Sequence, residues 1–289
     1  MKEKYAVLTM DVEAFADTEC LSSIGAQVDV DLLDGFDEYI KILDKYGIKG
    51  TLFTVGTLAP KIADKLKSCI ANGHRIALHS YKHVASMTIS AKQFKEDMER
   101  AKRELSELLN TEILGFRAPC FSIDDERLQI LKDLGFRYDS SHLGFSLARH
   151  TVELKLKNFK QIRENIFCND GFFEFGLSKQ KIFGQPFPIS GGGYVRLGNW
   201  SFIKQMILQY INQSDYYVFY LHPFELTTQK IPILKELKSY DKYYLKANVS
   251  SYGRHVEEII KMLQAAGYKF VTFEQLSEIL SKRQATRTL

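Results

Sequence analysis

The chain has 289 residues, 45% hydrophobic and 26% charged, with a formal net charge of +4. This is ordinary globular composition, long enough for a sizeable core. So small a positive balance gives no case for nucleic-acid binding.

Four cysteines, Cys20, Cys69, Cys120 and Cys168, lie far apart with no Cys-x-x-Cys pair. They read as free thiols in a reducing compartment, neither a disulfide framework nor a zinc ribbon. The opening Met1-Lys2-Glu3-Lys4 leads straight into a strand-like segment, so no signal peptide is expected. No run approaches the roughly 18 apolar residues of a membrane span. The expectation is a soluble cytoplasmic protein.

Taken in order, Tyr5 to Met10 is short, apolar and β-prone, and Asp11-Val12-Glu13 follows with two acids around a small apolar residue. Residues 29–46 carry Leu33, Phe36, Ile40 and Leu43 at helical spacing and stop at Gly47. Residues 50–55 read as a second strand and 60–70 as a helix with Pro60 near its start. A third strand over 75–78 ends at His79, and His83 lies four residues on, the spacing that puts two side chains on one face of a helical turn. Two imidazoles so presented make half of a metal site.

A long amphipathic helix is expected over 90–110 and a fourth strand over 113–116, ending at Arg117-Ala118-Pro119. A helix over 124–134 and a strand over 136–138 lead to Asp139. Residues 142–198 break the rhythm and read as β hairpins or long loops at the rim of a site. Gly191-Gly192-Gly193 reads as a flexible turn, since it lacks the P-loop lysine and hydroxyl pattern. A helix over 200–211 precedes a buried strand over 216–221, which ends at His222-Pro223-Phe224-Glu225. Residues 227–252 form an insertion rich in lysine and tyrosine, read first as a solvated face, with contact to an anionic membrane surface as the second reading. Helix, strand and helix close the chain, with a frayed tail from Ser281.

Alternating strands and helices with short connections predict parallel strands with helices outside. Asp11, Glu13, His79, His83, Arg117 and Asp139 all follow the carboxyl ends of predicted strands, the edge where β/α barrels build chemistry. No linker or internal repeat appears, so one domain over 1–289 is expected.

The ordered set Thr9-Met10-Asp11-Val12-Glu13, His79-Ser80-Tyr81-Lys82-His83, Arg117-Ala118-Pro119 and Leu221-His222-Pro223 resembles the polysaccharide deacetylases, the NodB-homology enzymes of carbohydrate esterase family 4. Gly-Gly-Gly-Tyr-x-Arg and His-Pro-Phe-Glu look like a bacterial subgroup whose first motif is Asp-x-Glu. The resemblance implies an irregular (β/α) barrel of about seven parallel strands with β and loop insertions at the active-site rim. It implies metal-dependent removal of N-acetyl groups from amino sugars of a polysaccharide or its lipid-linked or oligosaccharide precursor. The family's first motif usually has two adjacent aspartates. Here Val12 stands at the second, so the ligand role passes to Glu13.

On that resemblance Glu13, His79 and His83 hold a divalent ion, most simply zinc, with a position open for water. Asp11 is the general base, Arg117 pairs with it, and His222 is the general acid, oriented by Asp139 or Glu225. The Cys120 backbone N–H serves the oxyanion, and Leu221 lines the acetyl pocket. Tyr194 and Arg196 meet the sugar or an anionic group, or are structural, and Glu174 is left open in the same way. His74, His142, His150 and His255 are read as structural. The competing readings are a cyclic amide or imide amidohydrolase of the same superfamily and an inactive carbohydrate-binding homologue. Nucleic acid is not an expected partner, and the oligomeric state is left open.

Overall fold

A computed structural model describes residues 3–26, 28–144, 154–182 and 184–288, with side chains to residue 286. Its strands are β1 (Lys4–Val12), β2 (Thr51–Thr54), β3 (Arg75–Leu78), β4 (Gly115–Phe116), β5 (Tyr138–Asp139), β6 (Lys160–Arg163), β7 (Ile166–Asn169), β8 (Phe172–Phe175), β9 (Lys179–Ile182), β10 (Gln185–Pro188), β11 (Tyr216–Leu221) and β12 (Tyr268–Phe270). The fold is the expected α/β class, mostly parallel. The chain divides into two compact units. One takes residues up to 49 and 178–270, the other 50–177 and residues from 271 on.

In the first unit β1 pairs in parallel with both β11 and β12. The β1–β11 register runs from Tyr5 opposite Tyr216 to Met10 opposite Leu221. Every residue from Tyr5 to Val12 is buried, as expected of a parallel strand with helices on its faces. Helices Asp34–Lys45, Trp200–Gln213 and Val249–Ala265 belong to this unit. Phe36, Tyr39 and Leu43 are the buried stripe of Asp34–Lys45, at the spacing read from the sequence.

The start of that helix lies against the turn after β11. A Cβ on Gly35 would stand 1.8 Å from the Pro223 carbonyl oxygen, so only glycine fits. The neighbouring Asp34 carboxylate accepts the Thr227 hydroxyl at 2.6 Å and the Thr228 N–H at 2.8 Å. Burial works to raise the Asp34 pKa, but these hydrogen bonds outweigh it and hold the carboxyl below its usual range.

The second unit has the strand order β2-β3-β4-β5-β8-β7-β6. β2 to β5 and β8 run parallel, and β7 and β6 follow antiparallel. One register line crosses it: Thr54 opposite Leu78, Leu78 opposite Phe116, Phe116 opposite Asp139, Asp139 opposite Glu174. Helices Ala63–Ala71, Ala91–Leu109, Asp125–Asp133 and Phe273–Thr288 complete it. Ser90 and Asp124 cap two of them by accepting the N–H of Gln93 and Arg127. Phe273 stacks on Phe175 at 4.7 Å between centroids and tilts against Tyr138 at 5.6 Å and Phe53 at 6.0 Å, giving the unit an aromatic centre.

Two readings need correction and two gain an addition. Gly191-Gly192-Gly193 is not a free turn. Gly191 bridges Tyr220, where a Cβ would stand 2.0 Å from the Tyr220 carbonyl oxygen, and a helix starts at Gly192. The middle segment forms the expected hairpins, but β8 also joins β5 in parallel and so carries Glu174 into the sheet. The insertion does present a solvated face, with Lys230, Lys235, Lys238 and Lys246 exposed, but Ile231, Leu237 and Leu245 on its apolar side are buried in a cluster with Phe15, Leu21, Leu32 and Phe224. The last helix runs on to Thr288 in place of a frayed tail. His150 lies outside the described residues. Among the described residues no helix is long and apolar enough to cross a membrane.

Gly35→Ala is expected to destabilise the protein by about 1–3 kcal/mol through overpacking. A fall in the urea midpoint at unchanged slope checks this.

Candidate active site

In the first unit the site residues come from the carboxyl ends of β1 and β11. Asp11 and Glu13 are two residues apart on extended chain, so they share one face while Val12 takes the other. Val12 is fully buried, Asp11 is 2% exposed and Glu13 5%. Because Met10 stands opposite Leu221, His222 leaves β11 beside Asp11. Leu221 itself is fully buried.

His222 opens a 3₁₀ turn, Pro223–Leu226, that carries Glu225 back to it. The Glu225 Oε2 accepts the His222 backbone N–H at 3.0 Å and lies 3.2 Å from its Nδ1. The Glu225 Oε1 accepts Arg196 Nε at 2.8 Å. Arg196 Nη1 donates to the Ala247 carbonyl at 2.6 Å, and the guanidinium lies 5.1 Å from the Tyr244 ring and 5.4 Å from that of Phe224. Arg196 and Glu225 are both fully buried.

Burial works to raise the Glu225 carboxyl, but Arg196 and His222 hold it below its usual range. Burial also works to lower His222. The carboxylates of Glu13, Glu225 and Asp11 outweigh that and push it up to about 9. Of the two acids considered for orienting His222, Glu225 lies in the same unit and contacts it. A capping-box spacing, an acid three residues after His222, was the available signal. Arg196 was read as meeting the sugar or an anionic group, or as structural. Its guanidinium is enclosed and engaged by Glu225 and Ala247, so it bears on His222 through Glu225. Tyr194 stays at the surface, 38% exposed, its hydroxyl pushed up to about 12 by burial and by Tyr240 and Glu19.

In the second unit His79 follows β3, Arg117 follows β4 and Asp139 ends β5. The His79 and His83 rings lie 5.1 Å apart. No helical turn brings them together. The segment is a bend in which Ser80 (φ 63°) and His83 (φ 54°) are left-handed. His79 Nδ1 is 2.8 Å from the Arg117 carbonyl oxygen, so Nδ1 carries the proton and Nε2 is the lone-pair nitrogen. His79 is 2% exposed.

Arg117 is fully buried. Its Nε donates to the Ser140 carbonyl at 3.0 Å, its Nη2 to the Ser140 hydroxyl at 2.9 Å, and its guanidinium lies 4.1 Å from the Phe53 ring centroid. Asp139 accepts from the N–H and hydroxyl of Ser141, both at 2.9 Å. Cys120 and Phe121 are left-handed at φ 53° and 55°, a strained backbone that no sequence pattern announced. The histidines set aside as structural are engaged elsewhere. His74 accepts the Gly50 N–H, His142 meets the edge of Phe167, and His255 stacks on Trp200.

Residues 3–138 match the family model described as polysaccharide deacetylase, and 151–278 match a domain of unknown function, DUF3473. Peptidoglycan deacetylase-like protein FGM2 of Gibberella zeae is 31% identical over 127 residues, 43% of this chain and 37% of that protein. The chain thus aligns with well under half the length of that relative. A Mycobacterium smegmatis structure assigned to the polysaccharide deacetylases has a TM-score of 0.62 at 15% identity, over 98% of this chain and 92% of its own. BA3943 of Bacillus anthracis, described as a CE4 family pseudoenzyme, has a TM-score of 0.54 at 14% identity, over 96% of this chain and 66% of its own. At these identities the likeness to the two structures is one of fold.

His222 pairs with carboxylates in the native state only, so its pKa is raised on folding. The stability it contributes is full below pH 6.5 and fades as pH rises through about 9. Glu225→Gln is expected to bring the imidazole down toward the ordinary histidine value. An NMR titration of the metal-free protein reads this directly.

Proposed function

From the match of residues 3–138 to the polysaccharide deacetylase model, we propose that the chain is of that family and is a metal-dependent N-deacetylase of amino sugars in a glycan or its precursor. One observation carries the reading. The His79 Nδ1–H donates to a carbonyl, which makes Nε2 the lone-pair nitrogen of the ring, and the His83 ring lies 5.1 Å away. That is how a metal-binding histidine is held. The resemblance of the first motif assigns Glu13 as the third donor of the set. Two imidazoles and one carboxylate suit zinc and leave a position for water. When bound, the ion lowers the pKa of water and polarises the amide carbonyl.

The chain's own residues supply the rest. Asp11 takes the proton of the attacking water as general base, and Arg117 orients it. The Cys120 backbone N–H meets the oxyanion. Water adds to the acetyl carbon, the C–N bond breaks, and His222 gives its proton to the departing amine. A histidine held protonated beside Glu225 suits that last step, since an amine leaves poorly without a proton. Leu221 lines the acetyl pocket, and Tyr194 at the surface meets the sugar. The name of the Gibberella zeae relative supports a peptidoglycan-like substrate. We place the reaction in the cytoplasm, on the wide spacing of the four cysteines in the sequence, and in one catalytic domain over 1–289. An inactive carbohydrate-binding homologue is the second reading, motivated by Val12 at the place where the family's first motif has its second aspartate.

Two measurements decide between these readings. Elemental analysis should find stoichiometric metal in the wild type and only traces in His79→Ala and Glu13→Ala; full occupancy in Glu13→Ala would remove Glu13 from the ligand set. Acetate release from N-acetylglucosamine oligomers should fall about 10²–10⁴-fold in Asp11→Asn while metal is kept. A wild type that holds metal and releases no acetate points to the inactive homologue.

A further inference from the structure

β5 and β8 place two acids opposite each other, Asp139 and Glu174, both fully buried. Asp139 accepts two hydrogen bonds from Ser141, one to each oxygen. Glu174 Oε1 accepts the N–H of Ser141 at 3.1 Å and of His142 at 2.9 Å. Its Oε2 is buried with no donor. Two ionised carboxylates cannot share such a site. A proton on Glu174 Oε2 turns that orphan oxygen into a donor toward Asp139 and satisfies the pair.

We propose that Asp139 and Glu174 share one proton, carried by Glu174, and act together as positioning residues for the Arg117–Ala118 strand end and, through it, for the His79 ring. The connection is continuous. Ser141 Oγ donates to Asp139 at 2.9 Å and accepts the Ala118 N–H at 2.9 Å. The Arg117 carbonyl on the same peptide holds His79 Nδ1. Both Asp139 oxygens already accept hydrogen bonds and Glu174 Oε2 does not, so the proton belongs on Glu174, and Arg117 favours charge on Asp139. Burial, and then the Asp139 charge, push Glu174 well above its usual range. The proton sharing stands on this geometry alone. The action on His79 rests on the metal reading above.

Glutamine reproduces a protonated glutamate, with an N–H toward Asp139 and a carbonyl for the two backbone donors. The test compares wild type, Glu174→Gln, Glu174→Leu and Asp139→Asn at pH 7, each checked for folding by circular dichroism. The wild type should show the infrared carbonyl band of a protonated carboxylic acid. Both Glu174→Gln and Asp139→Asn should lose it, the second because an amide donor lets Glu174 ionise. Zn²⁺ titration should give a dissociation constant about tenfold weaker for Glu174→Leu and within about threefold of wild type for Glu174→Gln, the order of effect of outer hydrogen-bond partners on metal affinity.

Absence of the band in wild type, or its survival in Glu174→Gln, overturns the shared proton. Equal losses of zinc affinity in the Gln and Leu variants, or none in a folded Leu variant, overturn the positioning role. If the Leu variant does not fold, Glu174→Gln decides both points, since a weakening beyond about threefold contradicts the rescue. His79→Ala is the control. If it binds zinc like wild type, the metal reading has failed, and the infrared band alone decides the pair.

Discussion

Parallel pairing with a fixed register is the constraint on which the rest depends. In the first unit, Met10 opposite Leu221 means that Asp11 and His222 leave adjacent strands at the same level. In the second, the line Thr54, Leu78, Phe116, Asp139, Glu174 sends five strands out at one edge. Hydrogen bonds past the last strand residues extend the pairing. His79 N–H reaches the Thr54 carbonyl, Arg117 N–H that of Leu78, and Ser140 N–H that of Phe116. A slip of one residue would turn each of these side chains to the other face.

Bringing polar groups to such an edge buries them, and a buried charge is costly unless it is paired. The protein meets this in each unit with a network anchored by an arginine. Arg196 neutralises Glu225, which in turn holds His222. Arg117 rests on Phe53 and binds Ser140, whose hydroxyl passes its own proton to the Phe175 carbonyl. These contacts fix side-chain directions in a way that exposed ion pairs, worth little and free to move, do not.

Backbone strain is placed at the same loops. Ser80 and His83 in one loop, and Cys120 and Phe121 in another, adopt left-handed conformations without being glycine. Such residues cost of order 1–3 kcal/mol each and persist only where their surroundings over-determine them. Here the surroundings are specific: Gly56 and Thr57 donate to the Ser80 and Tyr81 carbonyls, and Phe121 N–H reaches the Ala118 carbonyl.

Much of this was legible in the sequence. Residues 75–78 and 216–221 form strands at the boundaries expected, because short apolar runs bounded by polar residues have few other uses in a parallel sheet. The placing of Glu13, His79, His83, Arg117 and His222 after strand ends followed from the same pattern, while Asp11 falls within β1, which runs two residues past the expected end at Met10. Tertiary structure alone decided how those residues are held. The pairing of the His79 and His83 rings comes from left-handed loop residues, not from a helical turn, and no periodicity encodes a single residue's φ. The contact of Glu225 with His222, and the enclosure of Arg196, depend on a turn after β11 and on the Ala247 carbonyl, more than fifty residues from Arg196. Glu174 meets Asp139 only because β8 pairs with β5, and that pairing is a long-range choice. Local sequence determines which segments extend or coil and where polar residues interrupt them. Which two interruptions meet is set by the register of strands far apart in the chain.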